Sequence, residues 1–250
     1  MSNVLRLNLR SQRLAQDEGG HAIWEVRTST EEWAADQTAL LLCDVWNGHW
    51  CRGAVERLDA MIERMDAVVQ TVRAAGGLIV HAPSDTMDFY ADAPARQRAL
   101  AAPQVAPPPD AERPDPPLPV DASDHGADTG ETETYKAWNR QHPGIGIDQE
   151  RDIISDEGTE VYSYLEHQGI AHLLIMGVHT NMCVLHRTFA IKQMVRWGVD
   201  VALIRDLTDA MYNPAMPPYV SHDAGTGLVV EFIEKFWCPS VESKDIDITV

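Results

Sequence analysis

The chain has 250 residues, 44% of them hydrophobic, and its 38 acidic and 20 basic side chains give a net charge of −18. These values are typical of a globular protein with one large domain, or one domain with appendages. The negative charge argues against nucleic acids and anionic membranes as partners. No apolar run approaches the ~20 residues of a membrane span, and no signal-peptide core is present near the amino terminus, so we expect a cytoplasmic protein.

The first 37 residues are predicted to form an arm containing a β-hairpin. Residues 4–9 alternate between apolar and polar side chains, and residues 21–26 form a second candidate strand. Gly19 and Gly20 precede this second strand, which favours a hairpin with a long loop. Because an isolated hairpin is only marginally stable, we expect the arm 1–37 to pack on the core or on another subunit.

Alternating strand and helix patterns follow the arm. The near-continuous apolar run 38–45 is typical of a strand covered on both faces. In residues 52–75 the apolar positions step by three and four, which predicts a helix, and residues 78–81 form the next strand. This strand–helix–strand order predicts a parallel crossover. Further predicted elements are strands 152–155, 171–178 and 199–205, and helices 158–168, 180–197 and 221–236.

These elements predict the α/β class, with a three-layer α/β/α domain over residues 38–240. Its sheet should be mainly parallel and doubly wound, with the hairpin arm appended and a C-terminal tail over 241–250. Sites in such sheets lie at the carboxyl ends of strands. Asp44 and Cys183 both fall at or just past predicted strand ends.

Residues 83–135 interrupt the regular pattern. Ten prolines occur over residues 83–119, and acidic and small polar residues fill the gaps. Proline excludes regular helix and central strand. A long irregular stretch inside a compact domain is usually a functional lid or a surface excursion, and both alternatives remain open.

Cys183 is the strongest candidate for a catalytic residue. It follows an apolar run that breaks at Gly177, and Thr180 is placed to cap the helix that comes next. Cys183 then falls in the first helical turn, where free amides and the helix dipole favour a thiolate. A nucleophile surrounded by amide groups suits acyl transfer, whereas the alternative is a buried structural cysteine.

The sequence Gly-Val-His-Thr-Asn-Met-Cys-Val, residues 177–184, resembles the nucleophile motif of the isochorismatase-like cysteine hydrolases. This superfamily includes nicotinamidases, N-carbamoylsarcosine amidase, ureidoacrylate amidase, and biuret and triuret hydrolases. Leu-Leu-Leu-Cys-Asp, ending at Asp44, resembles the family's first strand, and the element order agrees over residues 38–238. The resemblance implies that Cys183 is the nucleophile, that Asp44 is its base, and that the backbone amides of His179 and Cys183 hold the oxyanion. It also implies a cis peptide bond before His179.

The resemblance further implies a lysine beside the other two catalytic groups. In the family this lysine closely precedes the helix that leads to the cysteine strand, but here that place reads Ile-Ser-Asp at 154–156. Lys136 lies earlier in the chain, and Arg140 and Arg151 are the alternatives. We favour Lys136, because an arginine is bulkier and binds a carboxylate through a fork.

Aromatic and amide side chains close to these positions are candidates for lining a small, polar, uncharged pocket. The four cysteines lack paired metal-site spacing and the histidines are scattered, so we expect neither a metal nor another cofactor. The candidate substrate-binding residues are Trp46, Asn47, Trp50, Trp138, Gln141 and Asn181.

The favoured function is a cysteine-dependent amidohydrolase. It would cleave a C–N bond of a small amide or ureide through a thioester and release ammonia or an amine. The expected partners are a small-molecule substrate and further copies of the chain, in a homodimer or homotetramer. The alternative is a non-catalytic binding or scaffold relative of the same fold, which the displaced lysine supports.

Overall fold

The computed structural model describes residues 3–249, in which a nine-stranded mixed sheet carries helices on both faces. The strands are β1 (Val4–Gln16), β2 (Ala22–Ala34), β3 (Thr38–Cys43), β4 (Leu78–Ala82), β5 (Ile153–Ile154), β6 (His172–Val178), β7 (Asp200–Asp209), β8 (Ser240–Val241) and β9 (Ile246–Thr249). The helices are α1 (Arg52–Ala75), α2 (Pro94–Leu100), α3 (Gly158–Gln168), α4 (Cys183–His186), α5 (Ile191–Arg196) and α6 (His222–Phe236). Within the described residues no helix has the length and apolar character needed to cross a bilayer.

The strand order in the sheet is β2-β1-β8-β7-β6-β3-β4-β5, and β9 pairs with the first part of β1. In this order, all neighbouring strands from β8 through β7, β6, β3 and β4 to β5 run parallel. In contrast, β1 is antiparallel to β2, β8 and β9. The predicted α/β fold with a mainly parallel sheet and an amino-terminal hairpin is therefore confirmed. Because β3 and β6 are neighbours, the residues that follow them meet at one edge of the sheet.

Two hydrophobic cores lie on opposite faces of the sheet, as the alternation of side chains along a strand requires. In β3, Leu40 and Leu42 pack with α1 on one face, and Leu41 and Cys43 pack with α3, α5 and α6 on the other. All of these side chains are fully buried. Coverage of both faces explains why β3 is apolar at nearly every position.

The helix predicted over residues 180–197 is interrupted in its middle, so this prediction is wrong there. Only residues 183–186 and 191–196 are helical, as α4 and α5, and Arg187 between them has an extended backbone with φ −61° and ψ 150°. Thr180 does not cap a helix, since its hydroxyl is hydrogen-bonded to Thr208 at 2.7 Å. The periodicity of the sequence continues through this break and so conceals it.

Residues 103–120, here called the proline strap, run along α3 and α5. Asp115 accepts a hydrogen bond from Lys192 at 2.6 Å, Asp110 accepts one from Trp197 at 2.9 Å, and the Val105 amide donates to Ser163 at 3.0 Å. These contacts tie the strap to the outer face of the helices. This part of the segment 83–135 is a surface excursion rather than a lid.

The C-terminal region also departs from the prediction. Residues 246–249, predicted as part of a tail, form β9 and pair with Val4–Leu7 of β1. The short pattern Ile-Asp-Ile-Thr gives too weak a signal for a strand, and only the tertiary partner identifies it.

Candidate active site

Asp44 occupies the first position after β3 and is completely buried. Its φ of 51° lies in the left-handed region, which turns the chain away from the strand. One carboxylate oxygen accepts the backbone amide of Ser84 at 2.7 Å. Burial raises the pKa of Asp44, while the charge of Arg187 and hydrogen bonds from Cys183 and Ser84 oppose this rise. The result is a buried carboxyl group held in one position.

Cys183 lies in the segment that follows β6, beside Asp44. At Gly177, φ is 128° and an added Cβ would lie 2.0 Å from the Cys43 carbonyl oxygen, so only glycine permits this close approach to β3. The Val178–His179 peptide bond is cis. The Cys183 thiol lies beside the Asp44 carboxylate, close enough for each group to alter the pKa of the other.

The environment of the Cys183 thiol favours its neutral form. Burial and the Asp44 charge together raise its pKa to about 12, although the Arg187 charge opposes the rise. The helix-dipole argument from the sequence does not apply, since α4 has only 4 residues. A neutral thiol needs a base close by before it can act as a nucleophile.

The cation at this site is Arg187. Its Nε donates to the Asp44 carboxylate at 3.0 Å, and its Nη2 lies 3.7 Å from the Asp85 carboxylate. The backbone break between α4 and α5 directs Arg187 back toward Asp44. Arg187 follows Cys183 by four residues, the spacing of one helical turn, and that spacing is the signal that could have identified it.

Lys136 does not take the role predicted for it. Its ammonium donates to the backbone carbonyl of Asp85. Among residues 3–249 it makes no hydrogen bond or ion pair with Asp44 or Cys183. The two alternatives are also elsewhere: Arg151 pairs with Asp148 at 2.7 Å, and Arg140 lies over the Phe89 ring at 5.5 Å. The residue type and the position predicted for the cation are therefore both corrected.

Two backbone amides lie beside the Cys183 sulphur. The amide of His179 lowers the pKa of this thiol. The Cys183 amide has no acceptor within the part of the chain that the structure describes, whereas the flanking Met182 and Val184 amides both donate to the His179 carbonyl. This is the arrangement that an oxyanion on a substrate bound at Cys183 would need.

A wall of aromatic rings stands next to Asp44. Trp46 and Trp138 stack with ring centroids 4.1 Å apart, and their indole N–H groups both donate to the Ser84 carbonyl, at 3.1 and 3.2 Å. His49 lies 4.8 Å from the His179 ring and 5.8 Å from Trp138. Burial lowers the pKa of His49 to about 4 and that of His179 to about 3, so the wall is uncharged at neutral pH.

Three amide side chains predicted to bind substrate make contacts within the protein instead. Asn181 pairs with both backbone groups of Met211 at 2.9 Å, and Gln141 is hydrogen-bonded to His81 at 2.8 Å. Asn47 accepts from the backbone of residues 139 and 140. Trp50 packs on a small separate core with Cys51, Ala54, Ala127 and Met211. Their roles are to shape the loops around the site.

The residues do not fit a metal site. Between residues 3 and 249 no group of three or more His, Cys, Asp or Glu side chains is placed to hold a metal ion. His81, at the end of β4, is bound on both ring nitrogens by Gln141 and Asp152, and Asp152 is in turn paired with Arg73 at 2.6 Å. The absence of a cofactor stays a prediction.

A buried ionic network, which the sequence did not reveal, supports the turn before Cys183. The Asp209 carbonyl accepts the Thr180 amide at 2.8 Å. The Asp209 carboxylate pairs with Arg57 at 2.9 Å and His222 at 2.8 Å. Burial opposes the ionisation of both Asp209 and His222, but their mutual hydrogen bond lowers the pKa of the aspartate and raises that of the histidine.

The isochorismatase domain family matches residues 38–215. The chain therefore belongs to the isochorismatase-like hydrolases, which is the family that the cysteine motif resembles. No protein of curated function matches the sequence significantly.

Solved structures show the same fold at low sequence identity. A cysteine hydrolase from Pseudomonas syringae pv. phaseolicola has 14% identity and a TM-score of 0.53, with 84% of this chain and 90% of that chain covered. An isochorismatase family protein from Burkholderia thailandensis has 15% identity and a TM-score of 0.50, with 84% and 94% covered. An isochorismatase from Pseudomonas putida KT2440 has 10% identity and a TM-score of 0.50, with 85% and 91% covered.

Proposed function

We propose that the protein is a cysteine-dependent amidohydrolase that cleaves a C–N bond of a small amide or ureide, with Cys183, Asp44 and Arg187 as its catalytic groups. One observation carries the proposal: a guanidinium holds the buried Asp44 carboxylate beside the Cys183 thiol, and the carboxylate and the thiol alter each other's pKa. A nucleophile, a base and a group that orients the base are the elements of covalent acyl transfer.

The reaction begins with proton transfer from the Cys183 thiol to Asp44 as the sulphur attacks the substrate carbonyl carbon. The amides of His179 and Cys183 stabilise the oxyanion that forms. Asp44 then returns the proton to the nitrogen as the C–N bond breaks, which leaves a thioester and free ammonia or amine. In the second half Asp44 takes a proton from water, the hydroxide attacks the thioester, and the sulphur regains its proton as the acid leaves.

The raised pKa of Asp44 suits both halves of this cycle. An ordinary carboxyl group is a weak base for a thiol, and burial, by raising the pKa of Asp44, makes this carboxylate a stronger base. Arg187 prevents the pKa from rising so far that Asp44 would be protonated before substrate arrives. It also stabilises the charge that moves between carboxylate and sulphur.

The aromatic wall supports a planar, uncharged substrate. Stacked indoles and two neutral imidazoles offer flat apolar surface with few charges, which suits the conjugated plane of an amide or ureide. The alternative of a non-catalytic relative loses its main support, because a cation is present beside Asp44 despite the displacement of Lys136.

The direct test is a screen of small carboxamides and ureides for ammonia release, combined with acid quenching and mass spectrometry of the peptide that contains Cys183. We expect at least one substrate to be turned over and to leave an acyl group on Cys183. Simple aryl esters, which acylate thiols readily, serve as a positive control for the nucleophile. Ammonia release without any acyl adduct on Cys183, under conditions where the control ester gives one, would contradict the mechanism.

Replacing Arg187 with methionine should reduce kcat/KM by about 100-fold, the usual scale for loss of one group that stabilises transition-state charge. Because the Arg187 charge lowers the pKa of Cys183, the variant should also be alkylated more slowly by iodoacetamide at a given pH. Arg187→Lys, which keeps the charge, should recover part of the loss.

Lys136→Met is the matched control for Arg187→Met, since it removes an equal charge from an exposed side chain near the same loop. We expect its kcat/KM and alkylation rate to stay within about threefold of the wild-type values, because exposed charges contribute little. A large loss in this variant with a small loss in Arg187→Met would return the catalytic cation to Lys136.

A further inference from the structure

The outer edge of the hairpin is an unprotected strand. All 13 residues of β2 pair with β1 in continuous register, and the other side of β2 pairs with no strand of residues 3–249. Natural edge strands are usually short, or are interrupted by proline, lysine or a bulge. β2 is long and has none of these three features.

Large apolar side chains are exposed along the same edge. Ile23 is 40% exposed, Trp24 40% and Val26 56%, and Leu14 of β1, opposite Trp24, is 57% exposed. Trp24, Val26 and Leu14 share one face of the hairpin and form a patch there, whereas Ile23 lies on the other face.

The segment 22–30 of β2 is electrically neutral, although the chain has a net charge of −18. Glu25 and Arg27 are its only charged residues, and they pair with each other at 2.8 Å with both side chains about half exposed. Because both copies carry a large negative charge, most of their surfaces repel each other. The neutral segment 22–30 adds no net charge repulsion between the two copies.

We infer that two copies of this chain associate by antiparallel pairing of their β2 edges about a two-fold axis at Val26. Each Val26 then faces the partner's Val26, and each Glu25 faces the partner's Arg27. Trp24 faces the partner's Thr28. The two nine-stranded sheets become one continuous sheet, and the backbone N–H and C=O groups of both edges are satisfied.

The charged residues of β2 favour this pairing register over the neighbouring registers. A two-fold axis at Glu25 or at Arg27 would place like charges directly opposite each other, and an axis at Thr28 would place Glu25 opposite the partner's Glu31. Such pairs destabilise antiparallel strands, whereas opposite charges stabilise them. The axis at Val26 gives two favourable pairs and leaves Glu31 and Glu32 beyond the paired segment.

Site-specific crosslinking tests the register. In the Val26→Cys variant the two introduced thiols lie across the axis, and mild oxidation should convert most of the protein to a covalent dimer. Thr28→Cys, two positions along on the same face, is the control: its thiols would be about 14 Å apart at ~3.4 Å per residue and should not crosslink. Wild-type protein, treated identically, reports any crosslinking through the native cysteines.

Analytical ultracentrifugation of charge variants tests the interface itself. We expect wild-type protein to be dimeric at micromolar concentration, and Arg27→Glu to raise the dimer Kd by about tenfold or more because it opposes two pairs of glutamates. Exchanging the two charges, with Glu25→Arg and Arg27→Glu together, should restore dimerisation. A monomeric wild-type protein, a dimer indifferent to Arg27→Glu, or equal crosslinking of the two cysteine variants would overturn the inference.

Discussion

Cys183→Ala is expected to abolish hydrolysis of any amide that the enzyme accepts, with kcat reduced by about 10⁵-fold or more. In the proposed mechanism the sulphur is the atom that bonds to the substrate, and the variant leaves Asp44 without the thiol from which it takes a proton. Alanine fits the space of cysteine, so the fold should be retained and the melting temperature should change little. Ammonia release and thermal denaturation measure the two effects.

Cys238→Ala is the matched control for this variant. Cys238 is buried in the core against which Cys183 packs, but burial raises its pKa well above the normal range, and within residues 3–249 its thiol is hydrogen-bonded to no carboxylate. Its removal should cost a little stability and leave turnover intact. Comparable loss of activity in both variants would mean that Cys183 has a structural role.

Asp44→Asn is expected to reduce kcat/KM by about 10³–10⁴-fold, the upper range for loss of a general base. Alkylation of Cys183 should respond in the opposite direction. The Asp44 charge raises the pKa of the thiol, so removing it should displace the midpoint of the alkylation rate to lower pH. Lost turnover together with a more acidic thiol distinguishes a base from a residue that only maintains the fold.

The pH profile provides a second test of Asp44. As a base it must be ionised, and since burial raises its pKa, wild-type activity should be lost on the acid side at a pH above the usual range of a carboxyl group. The residual activity of Asp44→Asn should not show this loss on the acid side of the profile. Asp85→Asn is the control, because this exposed carboxylate lies 3.7 Å from Arg187 but does not contact the thiol. A similar loss in both variants would weaken the assignment of the base.

Much of the fold could be predicted because its signals are local. Helix α1 begins and ends where its hydrophobic period and Gly76 indicate, and β3 is apolar throughout because both of its faces are covered. Asp44 and Cys183 could be located because Asp44 directly follows β3 and Cys183 comes a short turn after β6, and the sequence marks the end of both strands. These features depend on neighbouring residues only.

The cation and the amide side chains could not be predicted in the same way, because their roles depend on tertiary partners. Arg187 reaches Asp44 only because the helix breaks after His186, and the sequence pattern runs smoothly across that break. Asn181 and Gln141 lie close to the site in sequence, but each meets a partner from a distant segment, Met211 or His81. Proximity to a motif therefore does not establish contact with a substrate.

The pairing of β9 with β1 joins residues 246–249 to residues 4–7. On the ribosome the β1–β2 hairpin can form early, but the inner edge of β1 stays open until β8 and β9 have also been synthesised. Arg6, Arg10 and Arg13 lie on this strand, and their charges discourage premature association of nascent chains through that edge. Protection of the β1 edge is thus delayed by the long separation in sequence between β1 and its partners.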